Sequence, residues 1–299
     1  MNTFRASFRH EIISNSRSRS PQLIVVVFLL LTSLSSLIGW LTVRNVTRIY
    51  ADIVKLGLTK APNPFLNVPP LYYMRNCVIY IVLVGSLMAI VLGAQASLRD
   101  RKSSADSLIR TRNVSLLQRN LGQLGAIGAI LAGLEIAVLA ASLGTIWLIR
   151  GNFLDTNSLL HLLLFGVLSW LLMFGVACVG FVAGLFARSE ESALLYPFIG
   201  WAVITFTIPQ LITSTHPVAL LNPTPAISVG TGLTQSIVDT LSPLMLMEHF
   251  KAISNTLLSI DTNIPLTALS ILSFSLFVLV APVGASAISM SAFGRKLND

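Results

Sequence analysis

Charge is scarce in this chain. Only 11% of its 299 residues are Asp, Glu, Lys or Arg, against 54% hydrophobic, and the mean hydropathy is +0.78. A soluble domain carries roughly a quarter charged residues, so this composition excludes one and indicates an integral membrane protein. Cysteine is nearly missing: Cys77 and Cys178 lie in or beside apolar runs with no CxxC or Cys/His spacing. Neither a disulfide framework nor a zinc site is indicated. His161, His216 and His249 are scattered without metal-ligand spacing and suit interface hydrogen bonding better than metal binding. Also missing are GxxxxGK[ST], GxGxxG after a strand, HExxH and GxSxG. The chain by itself is therefore read as non-catalytic, with no catalytic residue, metal or cofactor of its own. A membrane protein without such a fingerprint draws energy from a gradient, from a partner, or from nothing.

The formal net charge is +8, yet the cations gather beside apolar runs instead of forming one basic domain. That pattern anchors membrane loops and gives no reason to invoke nucleic acid. Six apolar runs have about the 20 residues needed to cross hydrocarbon as helices, at 22–43, 76–97, 121–148, 159–187, 193–214 and 266–290. The expected fold class is an all-α integral membrane protein, one transmembrane domain over 1–299. Ahead of the first run, Arg5, Arg9, Arg17 and Arg19 with Phe4, Phe8, Ile12 and Ile13 are compatible with a short amphipathic helix on the membrane surface. The first run is long for a signal peptide and lacks a small-x-small cleavage site, so it reads as a retained span. After it, 44–75 reads as a polar connection with a helix-like piece at 46–58, followed by a stretch punctuated by Pro62, Pro64, Pro69 and Pro70.

Gly122, Gly125, Gly128 and Gly133 in the third run and the Gly180/Gly184 pair in the fourth offer close helix contacts. Pro197 and Pro209 fall inside the fifth run, where neighbouring helices can satisfy freed carbonyls. The connection 216–265 is apolar enough to be partly membrane-embedded, as two short helices broken at Pro243. Trp40, Trp147, Trp170 and Trp201 are read as interfacial anchors, with lipid-facing positions along the spans as the alternative. With the N-terminus inside, 13 of the 20 Lys/Arg residues fall on the inner side and 7 on the outer, which favours cytoplasmic N- and C-termini.

Residues 98–122 hold six Lys/Arg residues between the second and third runs, the densest cationic cluster in the chain. Residues 106–118 can form a short helix whose Leu108, Ile109, Val114, Leu116 and Leu117 offer apolar contact and whose Arg110 and Arg112 offer charge. Such a helix can dock in a partner's groove; a membrane-hugging basic loop is the alternative. Glu135 is the acidic residue in the middle of a run. At that depth a carboxyl is either a functional group or a hydrogen-bonded packing element.

These residues carry a family resemblance. Arg99, Asp100, Arg101 and Lys102 form a charged turn, and Ser103 and Ser104 stand where Glu and Gly are common. Leu108 and Ile109 match a leucine pair, Thr111 to Ser115 match a Thr-x-Pro-Val phrase, and Leu121 and Gly122 match a Gly-rich helix start. Phe186 to Ser189, and Leu241 to Leu244 with His249 and Phe250, are further echoes. In these features and in topology along nearly the whole chain, it resembles the type-2 ABC exporter permeases, six-span subunits that pair with a separate ATPase. Asn113 and Ser104 depart from the family's Pro and Gly.

The resemblance implies an N-terminal interfacial helix and re-entrant helices before the sixth span. It also implies a coupling helix that meets an ABC ATPase through Asp106, Leu108, Ile109, Arg110, Arg112 and Val114. A second permease subunit, in a homodimer or heterodimer, and membrane lipid are the other implied partners, and ATP and Mg would be bound by the ATPase. The setting would be the inner or plasma cell membrane, and the substrate hydrophobic or amphipathic. Two rivals from other classes stand beside this reading. One is a gradient-driven or passive carrier using Glu135, and the other a membrane scaffold or assembly factor.

Overall fold

The computed structural model describes residues 3–17, 19–61, 63, 68–102, 115–187, 189–213, 216, 219–226, 236, 238, 240–261 and 266–298. Regular structure among them is entirely helical. Six helices are long and apolar enough to cross a membrane: Gln22–Lys55, Pro70–Arg99, Leu117–Arg150, Thr156–Phe186, Glu191–Thr213 and Ala268–Met290. The chain is thus a multi-pass, all-α membrane protein.

Helix α1 (Thr3–Arg17) precedes the first span, which is built from α2 (Arg19–Ser33) and α3 (Ser35–Lys55) joined at Leu34. The helix-like piece expected at 46–58 is present, but it continues the first span without a break instead of standing in a separate connection. From Arg44 to Lys55 no glycine or proline interrupts the chain, and the helix continues until Gly57 adopts a left-handed φ of 72°. Glycine takes that conformation without a Cβ penalty.

The second span starts with a 3-10 turn at Pro70–Met74 and continues through α4 (Arg75–Tyr80), a π-helical turn at Ile81–Gly85 and α5 (Ser86–Lys102). The third is α6 (Leu116–Arg150), opened by the Ser115 hydroxyl, which accepts from the Gln118 N–H at 3.4 Å. The fourth is α7 (Thr156–Phe186), capped by Asp155, whose carboxylate accepts from the Ser158 N–H at 3.2 Å. These bonds satisfy amide groups that a helix start leaves without partners. The fifth joins α8 (Glu190–Ala202), a second π-helical turn at Val203–Thr207 and α9 (Ile208–Thr213). Pro209 has no N–H for the carbonyl of Thr205, which accounts for widened pairing just before it. After the Pro243-containing turn at Ser242–Leu244 come α10 (Leu246–Leu258) and α11 (Ala268–Asn298), which carries the sixth span.

The core centres on the crossing of α5 and α7. A Cβ on Gly93 would run into the Ala177 carbonyl, one on Gly180 into the Ile90 carbonyl, and one on Gly184 into Ser97 Oγ and the Ala94 carbonyl. The Gly180/Gly184 pair therefore brings two backbones together, as expected of small residues in membrane helices. The third run uses its glycines unevenly. Gly122 lies under the backbone of α1 and Gly128 under the Phe174 ring, whereas a Cβ on Gly133 would meet nothing within 4 Å.

Two tryptophans are not interfacial anchors but pins between spans. Trp170 Nε1 donates to the Gly128 carbonyl at 2.9 Å, and Trp201 Nε1 donates to Ser86 Oγ at 2.6 Å. Indole N–H groups inside the bundle need an acceptor, and these find one on a facing span. Ser86 follows the first π-helical turn and Trp201 precedes the second, so the bond ties two irregular helices at their wide points. Trp201→Phe should lower stability by roughly 1–3 kcal/mol, since one hydrogen bond is lost and the smaller phenyl ring underfills the contact with Phe198 and Phe206. Thermal melts of the purified protein in lipid nanodiscs would read this; an unchanged melt would remove the pin.

Candidate functional site

At the N-terminal face, α1 folds back against the start of α6. Phe4 and Phe8 stack on each other with centroids 6.1 Å apart and lie over Gly125, while a Cβ on Gly122 would stand 2.7 Å from the Phe4 carbonyl. Glycine there lets the helix backbones touch. The same helix reaches the end of the second span through its polar side. Glu11 is 1% exposed and ion-pairs with Arg99, and Arg99 Nη2 also donates to Asn15 Oδ1 at 3.2 Å. Asn15 Nδ2 in turn donates to Glu11 Oε1 at 2.8 Å.

Helix α1 is thus fastened to both sides of the basic connection, at Arg99 before it and at Gly122 after it. A further polar contact joins the same region to the last span: Asn120 Nδ2 donates to Ser289 Oγ at 2.6 Å. Arg119, Asn120 and Gln123 are all buried at the start of α6. The third span therefore begins in packed protein, with its first turn held by α1 and α11.

Asp106, Leu108, Ile109, Arg110, Arg112 and Val114 lie outside the described residues. What the structure places around them is the frame that holds their two ends. Glu135 lies midway along α6 and is 3% exposed, with both carboxylate oxygens buried and unpartnered. Ser142, two turns further along the same face, also has a buried oxygen without a partner.

A second polar cluster sits on α10. Lys251 Nζ donates to Glu248 Oε1 at 2.7 Å and to the Leu220 carbonyl at 2.6 Å, while Glu248 Oε2 accepts from the Ala226 N–H at 2.7 Å. His249 bridges Ser242 and Ser270, with Nε2 2.8 Å from the Ser242 carbonyl and Nδ1 3.1 Å from Ser270 Oγ. Burial pushes the His249 imidazole below its ordinary pKa, opposed by the Ser242 carbonyl and the Glu248 charge. These contacts fasten the segment before the sixth span to the bundle, which is the hydrogen-bonding role expected of His249.

Sequence reasoning missed the roles of Glu11, Asn15 and Lys251. Glu11 is a lone acid among arginines, and Lys251 reads as an ordinary loop cation; a lone charge beside opposite or apolar neighbours was the only available signal. Among the described residues no three His, Cys, Asp or Glu side chains gather to hold a metal ion, and both cysteines are buried and free. The parts of the N-terminal face are fixed by backbone contact and buried charge. No protein-family model matches the chain, and a search of curated proteins finds no match.

Proposed function

We propose that this chain is the membrane-spanning permease subunit of an ATP-driven exporter of the type-2 ABC class, drawing energy from a separate ATPase subunit. The observation that carries the reading is the double fastening of α1, at Arg99 and at Gly122, on either side of the basic connection. A push delivered there reaches the second, third and first spans together, and a transmission element has to be joined stiffly to what it moves. In this reading 106–118 is the coupling helix, meeting the ATPase through Asp106, Leu108, Ile109, Arg110, Arg112 and Val114. The N- and C-termini are cytoplasmic, α1 lies along the inner interface, and the segment containing α10 enters the membrane from the outer side. A second permease subunit completes the translocation path, and ATP-driven closure of paired ATPases shifts the population between inward and outward states.

A hydrophobic or amphipathic substrate suits the surfaces available. Between the second, fourth, fifth and sixth spans and α10 lies a cavity of about 180 Å³ lined by the largely apolar Ile90, Val176, Tyr196, Trp201, Met247 and Phe277. The coupling assignment is tested by the double variant Arg110→Glu/Arg112→Glu, which should reach the membrane at wild-type level and lose more than tenfold of its bound ATPase. Unchanged ATPase binding and ATPase activity would refute it.

A second reading rests on Glu135, whose buried, unpartnered carboxyl is costly in a bilayer unless it has a task. In a gradient-driven carrier, Glu135→Gln would abolish transport and no ATPase would respond. In the exporter, Glu135→Gln leaves ATPase binding at wild-type level.

A further inference from the structure

Helix α1 and Arg99 enclose a groove of about 410 Å³, lined by His10, Ile13, Ser14, Arg17 and Arg99. We propose that this groove binds the phosphate of an anionic membrane lipid, a role separate from the coupling reading above and independent of it.

The charge at the groove is positive even after its internal ion pair is counted. Glu11, almost wholly buried, offsets Arg99, while exposed Arg17 has no ion-pair partner among the described residues. Arg99 spends Nη2 on Glu11 and Asn15, and its side chain stays 24% exposed where it lines the groove. A partly exposed guanidinium that lines the groove together with Arg17 and Ser14 fits an oxyanion that accepts several hydrogen bonds. Arginine forks and phosphate oxygens match in geometry as well as charge.

Position selects a lipid over a soluble phosphate. The first apolar span begins at Gln22, shortly after Arg17, so the groove stands where headgroups meet hydrocarbon. Phe4, Ile12 and Ile13 of the same helix are exposed, offering apolar surface to acyl chains beside the basic groove. A headgroup seated there would bridge α1 to the end of the second span and reinforce the Glu11–Arg99 link from its open side.

The full-length protein is reconstituted with phosphatidylcholine alone or with added phosphatidylglycerol, extracted gently, and weighed by native mass spectrometry. Wild-type protein should keep phosphatidylglycerol in preference to phosphatidylcholine. Arg17→Gln should lower that retention on the order of tenfold, the effect of one hydrogen bond to a charged group, and Arg17→Lys should restore part of it. Arg150→Gln, which removes an exposed arginine from the opposite end of α6, should change nothing. Because Arg17 is exposed and unpaired among the described residues, its loss leaves the packing of α1 in place. No preference for phosphatidylglycerol, equal losses in the Arg17 and Arg150 variants, or displacement of the lipid by millimolar inorganic phosphate would each overturn the proposal.

Discussion

Lys251→Met should destabilise the folded protein by roughly 3–5 kcal/mol, the usual cost of breaking a buried ion pair by removing one partner. Lys251 is 1% exposed and Glu248 3% exposed, so water cannot replace what is lost. With the ammonium gone, the Glu248 carboxylate keeps only the Ala226 N–H among the described residues, and the Leu220 carbonyl loses its Lys251 donor. The damage comes from the stranded charge more than from a missing attraction. The double variant Glu248→Leu/Lys251→Met should therefore recover most of the loss, because apolar residues of similar volume often replace a buried pair at little cost. Thermal melts in nanodiscs would compare the two; if the double variant is as unstable as the single, the stranded-charge explanation fails.

Gly180→Val should be nearly as damaging, at about 3 kcal/mol or more, beyond the usual range for an overpacked core. The obstacle is the Ile90 carbonyl, which belongs to the backbone of the facing helix and cannot swing aside like the end of a side chain. The second and fourth spans would have to separate, and Gly93 and Gly184 sit in the same crossing. Gly133→Ala provides the contrast. Nothing lies within 4 Å of its added Cβ, so it should be neutral or stabilise by up to about 1 kcal/mol through helix propensity. Equal melting shifts in these two variants would show that the α5–α7 crossing is not held by close backbone contact.

The spans were legible because each is a long apolar run, and the tight crossing was legible from Gly180 and Gly184. The end of the first span was not. Residues 46–58 read as helix-like, but Arg44, Arg48, Asp52 and Lys55 set them apart from the span, whereas the helix runs on to Lys55 and ends at Gly57. Trp170 and Trp201 were misread for a related reason: composition places indoles at interfaces, whereas their hydrogen-bond acceptors come from spans far away in sequence.

At the candidate site the cationic character of 98–122 could be read directly, and the depth of Glu135 followed from its place in the run. The fastening of α1 could not. Glu11 and Arg99 are 88 positions apart, and an amphipathic pattern does not say whether its polar side faces water or a buried guanidinium. The apolar pattern of α1 suggested the membrane surface alone. In the structure Phe4 and Phe8 also pack over Gly122 and Gly125, a contact that the pattern of α1 alone does not show.

The most direct measurement of the exporter reading is purification of the tagged chain from its native membranes, followed by identification of bound proteins and assay of ATP hydrolysis. The account predicts that an ABC ATPase comes with it in near-equal amount, that the complex hydrolyses ATP, and that Arg110→Glu/Arg112→Glu releases the ATPase. A chain recovered from intact membranes without any ATPase, or an ATPase retained equally by the charge-reversed variant, would contradict it.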